Sequence, residues 1–203
     1  MKIYSLIFLG AFSLTAMFFS ECVQKSTADE TSAREPERPD FNGYESQAKW
    51  GEHLVTIAGC NDCHSPKKMT AQGPEIDSSL LLSGHPSQLP PPDVNRKDLE
   101  AKGFTLTNDL TAWVGGWGIS YAANLTSDST GIGEWKENQF IYAIREGKNK
   151  GIAGARPLLP PMPWTMYMHM TDNELKAIFA YLKSTKPIHN IVPSPVAPAL
   201  ARQ

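Results

Sequence analysis

Cys60-Asn61-Asp62-Cys63-His64 decides how the rest of this chain is read. Cysteines three residues apart on a helical turn point the same way, so both sulfurs can reach the two vinyl groups on one porphyrin edge as thioethers. The histidine next in line can swing its imidazole beneath the ring to the iron. C-x-x-C-H is thus a c-type haem attachment signal, with His64 as proximal ligand. A zinc site needs a second Cys or His pair at ligand spacing, and His53, His85, His169 and His189 supply none. A redox C-x-x-C of the thioredoxin kind follows a strand, whereas this one follows a helical pattern.

That pattern runs over 45–57, with Trp50, Leu54, Ile57 and Ala58 on one face. A second helix is predicted over 136–146 from Phe140, Ile141 and Ile144, with Gly147 placed for a left-handed cap. A third starts at Thr171, whose capping box is completed by Glu174; Leu175, Ile178, Phe179 and Leu182 form its stripe, and Pro187 lies beyond its end. Between Pro66 and Gly133 the chain is rich in Gly, Pro, Ser, Asn and Asp, with one short helix predicted over 93–102. Loops longer than about 15 residues are uncommon in compact domains. A haem, as a flat apolar surface at the domain's centre, organises such a stretch.

The composition bounds the alternatives. The 203 residues are 41% apolar and 20% charged, enough for one ordinary domain with tails. Nineteen basic against twenty-one acidic side chains give a net charge of -2, which argues against a nucleic-acid footprint or a polybasic membrane patch. Lys2 followed by the uncharged run 3–19 reads as a secretory signal, too short for a spanning helix. Export places the chain in the periplasm or on the outer face of a bacterial membrane. Cys22 closes that segment and resembles a lipoprotein acceptor, although Glu21 stands where a small residue is usual. Lipidation and an ordinary cleaved signal both remain open. Residues 23–44 read as a polar tether, 45–190 as a monohaem domain, and 191–203 as a Pro-rich tail, strap or free end.

For the sixth iron ligand, Met162 sits in Leu158-Leu159-Pro160-Pro161-Met162-Pro163-Trp164, where prolines restrict the backbone around its thioether. Met166, Met168 and Met170 compete with it, as does bis-His ligation through His85 or His169; His53 and His189 read as surface or packing residues. Met/His ligation raises the reduction potential and leaves no coordination position for a substrate. The expected function is one-electron transfer by a non-enzyme, with redox proteins as partners: a dehydrogenase or respiratory complex, an oxidase or another cytochrome. A haem enzyme or gas-binding protein with a labile sixth position is the alternative.

The chain resembles the class I cytochromes c, and specifically the haem domains in cytochrome subunits of bacterial membrane-associated dehydrogenases. The resemblance rests on Gly51-x-x-Leu54, on Ala58 to Pro66, on Asn124 to Asp128 with Gly131-Ile132-Gly133-x-Trp135, on Ala143 to Gly147, and on Pro161 to Trp164 with Ala177 to Leu182. It implies an all-α fold whose first and last helices cross, Gly51 allowing the close approach and Ile178 and Tyr181 packing onto it. It also implies His64 and Met162 as axial ligands of one covalent haem c. Those subunits carry two or three such domains, whereas this chain has one motif, which favours a single-haem carrier or tethered relay. The stretch 84–121 is an enlarged insertion without counterpart in the smallest class I cytochromes; Trp113, Trp117 and Tyr121 read as pocket or loop packing. His64 is expected to donate its second ring N–H to a backbone carbonyl in 66–76, with Pro74 the family-like candidate.

Overall fold

Residues 40–199 are described in the computed structural model. The predicted signal, Cys22, most of the tether and the last tail residues lie outside the described residues. Ser46 accepts the Lys49 amide on its side chain and opens α1 (Gln47–Ile57). Gly59, at φ +68°, then turns the chain into the one-and-a-half-turn α2 (Cys60–His64). β1 (Lys67–Thr70) and β2 (Gly73–Ile76) form an antiparallel hairpin with Lys67 opposite Ile76. After α3 (Arg96–Ala101), β3 (Leu106–Thr107), β4 (Ala112–Gly115) and β5 (Gly118–Tyr121) make a three-stranded meander. α4 (Glu137–Arg145), α5 (Trp164–Tyr167) and α6 (Asp172–Ser184) follow.

The predicted helices are present, and so are five strands among the described residues, which corrects the all-α expectation. The strands lie in the segment read as loop. Gly115 pairs with Gly118 across a two-residue connection, so the glycines expected to mark a loop instead close a β-hairpin.

The core is helical. Trp50, Leu54 and Val55 of α1 meet Phe140 and Ile144 of α4 and Leu175, Ile178, Phe179 and Leu182 of α6. The rings of Phe140 and Phe179 lie 5.5 Å apart. At the α1–α6 crossing, a Cβ on Gly51 would stand 1.9 Å from Ala177 O and 2.9 Å from Tyr181 Cβ, so only glycine permits this approach. The crossing also corrects the predicted α1 face. Burial of Trp50, Gly51, Leu54 and Val55 centres the contact on the Gly51 side of the helix, and Ile57, at its margin, is 66% exposed. Thr171 and Glu174 form the predicted capping box, and Arg145 joins α4 to α6 through Asp172 Oδ1 at 2.7 Å.

The tail acts as a strap through its described residues. Val196 and Ile119 exchange both backbone hydrogen bonds, at 2.9 and 3.0 Å, and the Ala199 amide donates to Glu100 Oε1 at 3.0 Å. Among the described residues no helix is long and apolar enough to cross a membrane.

Candidate haem site

Cys60 and Cys63 share the single helical element α2, and neither is in a disulfide. Both are half-buried. Burial pushes the Cys60 thiol up to about 11, and the Cys63 thiol is raised by the same cause. Lys67 turns back beneath α2 and donates its ammonium to Asp62 O and, at 2.8 Å, to Ser65 O, satisfying carbonyls at the end of the turn.

His64 is held at three points. Its carbonyl accepts the Gly84 amide at 2.8 Å, the neighbouring Ser65 hydroxyl accepts the Leu82 amide at 2.9 Å, and its Nδ1 donates to Ala123 O at 2.8 Å. The acceptor is therefore Ala123, not the 66–76 segment. That segment is committed to the β1–β2 hairpin, in which Pro74 pairs with Met69. Desolvation lowers the His64 pKa, which favours the neutral imidazole that ligates metals. Among the described residues Nε2 has no hydrogen-bond partner, so the tautomer fixed by Ala123 leaves a lone pair on that nitrogen for a metal.

The methionines separate by position. Met166 is 70% exposed. Met162 and Met170 are half-buried and pack against the core, as Cys60, Leu81, Leu125 and Tyr167 also do, and Met168 is half-buried. Met162 is carried by a tight turn in which its amide donates to Leu159 O at 3.2 Å. That turn is held from α4: Leu158 donates to Gly147 O at 2.7 Å, and Gly147, at φ +58°, lies so close to the Trp164 ring that a Cβ would meet it at 2.5 Å. From the far side, the Tyr167 hydroxyl donates to Ala58 O at 2.5 Å, just before α2.

The remaining histidines carry no metal-ready nitrogen in the core. His85 is fully buried, but Nδ1 meets Thr111 Oγ1 at 2.7 Å and Nε2 meets Leu89 O at 2.9 Å, so both ring nitrogens are engaged. His169 is exposed. Trp113 and Trp117 give their indole N–H groups to Leu110 O and Ser120 Oγ, and Tyr121 packs on His85, so all three serve the insertion's own packing. Among the described residues no group of three or more His, Cys, Asp or Glu side chains could hold a metal ion. Paired unbridged thiols on one turn, an adjacent imidazole with one nitrogen committed, and half-buried apolar side chains that pack, like Cys60, against the core together fit a covalently held haem.

Comparison with known proteins points the same way. Over 155 residues, 76% of the chain, it is 34% identical to the gluconate 2-dehydrogenase cytochrome c subunit of Pantoea cypripedii, covering 25% of that protein. The chain resembles the cytochrome c subunits of bacterial dehydrogenases. It is also 36% identical over 89 residues to the fructose dehydrogenase cytochrome subunit of Gluconobacter japonicus, which is 40% of this chain and 17% of that subunit. A 28% identity over 121 residues relates 58% of the chain to 25% of the cytochrome c subunit of a quinone-dependent alcohol dehydrogenase from Gluconacetobacter polyoxogenes. The chain spans a quarter or less of the length of these relatives. No family model matches it.

Proposed function

We propose that the chain is a non-catalytic electron carrier with one haem c, joined through Cys60 and Cys63 and ligated axially by His64 and Met162. The bound haem would supply reversible one-electron iron chemistry. The observation that carries the reading is the state of His64, whose Nδ1 is committed to Ala123 O at 2.8 Å while Nε2 is left for a metal. Around it the protein's own groups do three things. α2 carries both thiols, Ala123 O orients the imidazole while the Gly84 amide holds the His64 backbone carbonyl, and the half-buried Leu81, Leu125 and Tyr167 side chains would shield the bound group from water. Met162 closing the sixth position would raise the potential and deny entry to substrates.

The relatives' names, cytochrome subunits of gluconate and fructose dehydrogenases, support redox proteins as partners: a dehydrogenase or respiratory complex as donor, and an oxidase or another cytochrome as acceptor. With a net charge of -2, long-range steering is weak and the contacts are short-lived. The signal reading of 1–22 places this relay in the periplasm or on the outer face of the membrane, with Cys22 as the candidate lipid anchor. The test is the ferric spectrum of the full-length holoprotein. The weak long-wavelength sulfur-to-iron band is expected in the unmutated protein and lost in Met162→Ala. Rapid azide or carbon monoxide binding by the unmutated protein refutes the carrier reading.

A further inference from the structure

The insertion is tied to both candidate axial ligands through one short segment. On the proximal side, Ala123 O accepts the His64 Nδ1–H at 2.8 Å. Three residues earlier, the Ser120 hydroxyl, on a residue only 7% exposed, donates to Pro160 O at 2.6 Å, two residues before Met162. The Trp117 indole N–H donates in turn to Ser120 Oγ at 3.0 Å, orienting the hydroxyl so that its proton faces Pro160. The segment itself is pinned along its length: Ile119 to Val196, Ala122 to Thr111 O and His85 N, and Asn124 Nδ2 to Ile188 O at 2.9 Å.

From this juxtaposition we infer that the Trp117–Ser120 pair is a positioning device for Met162, and that residues 118–124 act as a brace fixing the distal methionine turn against the proximal histidine. The inference rests on the reading of Met162 as the iron's sixth ligand. A buried hydroxyl on the turn's carbonyl removes the freedom by which the thioether would swing away, so the sulfur stays bound at a lower entropic cost. It also gives the insertion a function beyond covering the pocket.

The test uses the full-length holoprotein, with Ser120→Ala and Trp117→Phe made separately. Ser120→Ala is expected to leave haem attachment intact, weaken the sulfur-to-iron band, lower the reduction potential and raise ferric azide affinity about tenfold, which converts to about 1.4 kcal/mol, the size of one hydrogen bond. Trp117→Phe keeps the Ser120 hydroxyl and an aromatic side chain while removing the indole N–H donor, and should shift the same readouts in the same direction by about two- to threefold. It decides the question even where Ser120→Ala does not accumulate. Azide affinity and band unchanged in the variants, with the band present in the unmutated protein and lost in Met162→Ala, overturn the brace alone. A band that survives Met162→Ala overturns the brace together with the ligand assignment.

Discussion

Replacing Gly51 by alanine tests the crossing on which the whole arrangement depends. The added Cβ would lie 1.9 Å from Ala177 O, 2.5 Å from Ala177 C and 2.9 Å from Tyr181 Cβ, whereas real Cβ atoms essentially never approach below 3.0 Å. The nearest obstacle is α6 backbone, so no rotamer change relieves it, and the two helices must part by about an ångström at the contact. Separations of 0.5–1 Å forfeit roughly a quarter to a half of a dispersion well, and here they fall on Leu54, Val55, Ile178 and Leu182. Overpacking typically costs about 1–3 kcal/mol, and a clash with backbone that cannot move aside belongs at or just above the top of that range, about 3–4 kcal/mol, against a helix-propensity gain of about 0.5–1 kcal/mol for alanine over glycine. The net expectation is a loss of about 2–3 kcal/mol. At roughly 2–4 °C per kcal/mol for a domain of this size, the melting temperature of the holoprotein should drop by about 5–10 °C, read by far-ultraviolet circular dichroism. Gly154→Ala, where a Cβ meets nothing within 4 Å, is the matched control and should stay within about 0.5 kcal/mol of the parent. A Gly51→Ala protein that melts at or above the parent's temperature would refute the crossing as described.

Cys60→Ala or Cys63→Ala should each leave one thioether, seen as a haemochrome band at longer wavelength, and the double variant should release its haem to acid–acetone extraction; retention by the double variant sinks covalent attachment at these positions. Asp128 supplies the pH prediction. Its carboxylate accepts the Thr130 hydroxyl at 2.6 Å and the Thr130 amide at 2.8 Å, and these bonds hold its pKa below the ordinary carboxylate range. A depressed folded-state value stabilises above the unfolded pKa of about 3.9 and loses that contribution as pH falls through the folded value. Asp128→Asn should therefore be less stable than the parent at neutral pH, with the gap narrowing as the pH falls below the unfolded value of about 3.9. Equal gaps at pH 7 and pH 2.5 in denaturant titrations would show that the charge is not its source.

The parts of this fold that could be read from sequence are those in which a side chain announces its own environment. Thr171 and Glu174 cap α6 because their oxygens match backbone amides three residues apart, and Leu175, Ile178, Phe179 and Leu182 face the core because the helical period puts them on one side. The pairing of Cys60 and Cys63 on one helical turn was legible for the same reason. Val55 was hidden because α1 periodicity fixes the spacing of a face but not its centre, which the glycine crossing sets. The strands were hidden because they are two to four residues long and ended by Gly115 and Gly118, too short for alternation to register.

The partners of the site residues were illegible for a deeper reason. Ala123 and Pro160 act through carbonyl oxygens, which every residue possesses, so nothing in their identity distinguishes them as acceptors for His64 and Ser120. His85 shows the converse. Its chemistry made it a candidate ligand, yet Thr111 and Leu89 O occupy both ring nitrogens and turn it into a buried strut beside the same segment. Residue type thus locates candidate metal donors, and topology decides which are free to donate. His64 and Met162 stand nearly a hundred positions apart in the chain, and residues 118–124, within the stretch 66–133 read from sequence as having little regular structure, are where the fold ties the histidine to the methionine's turn.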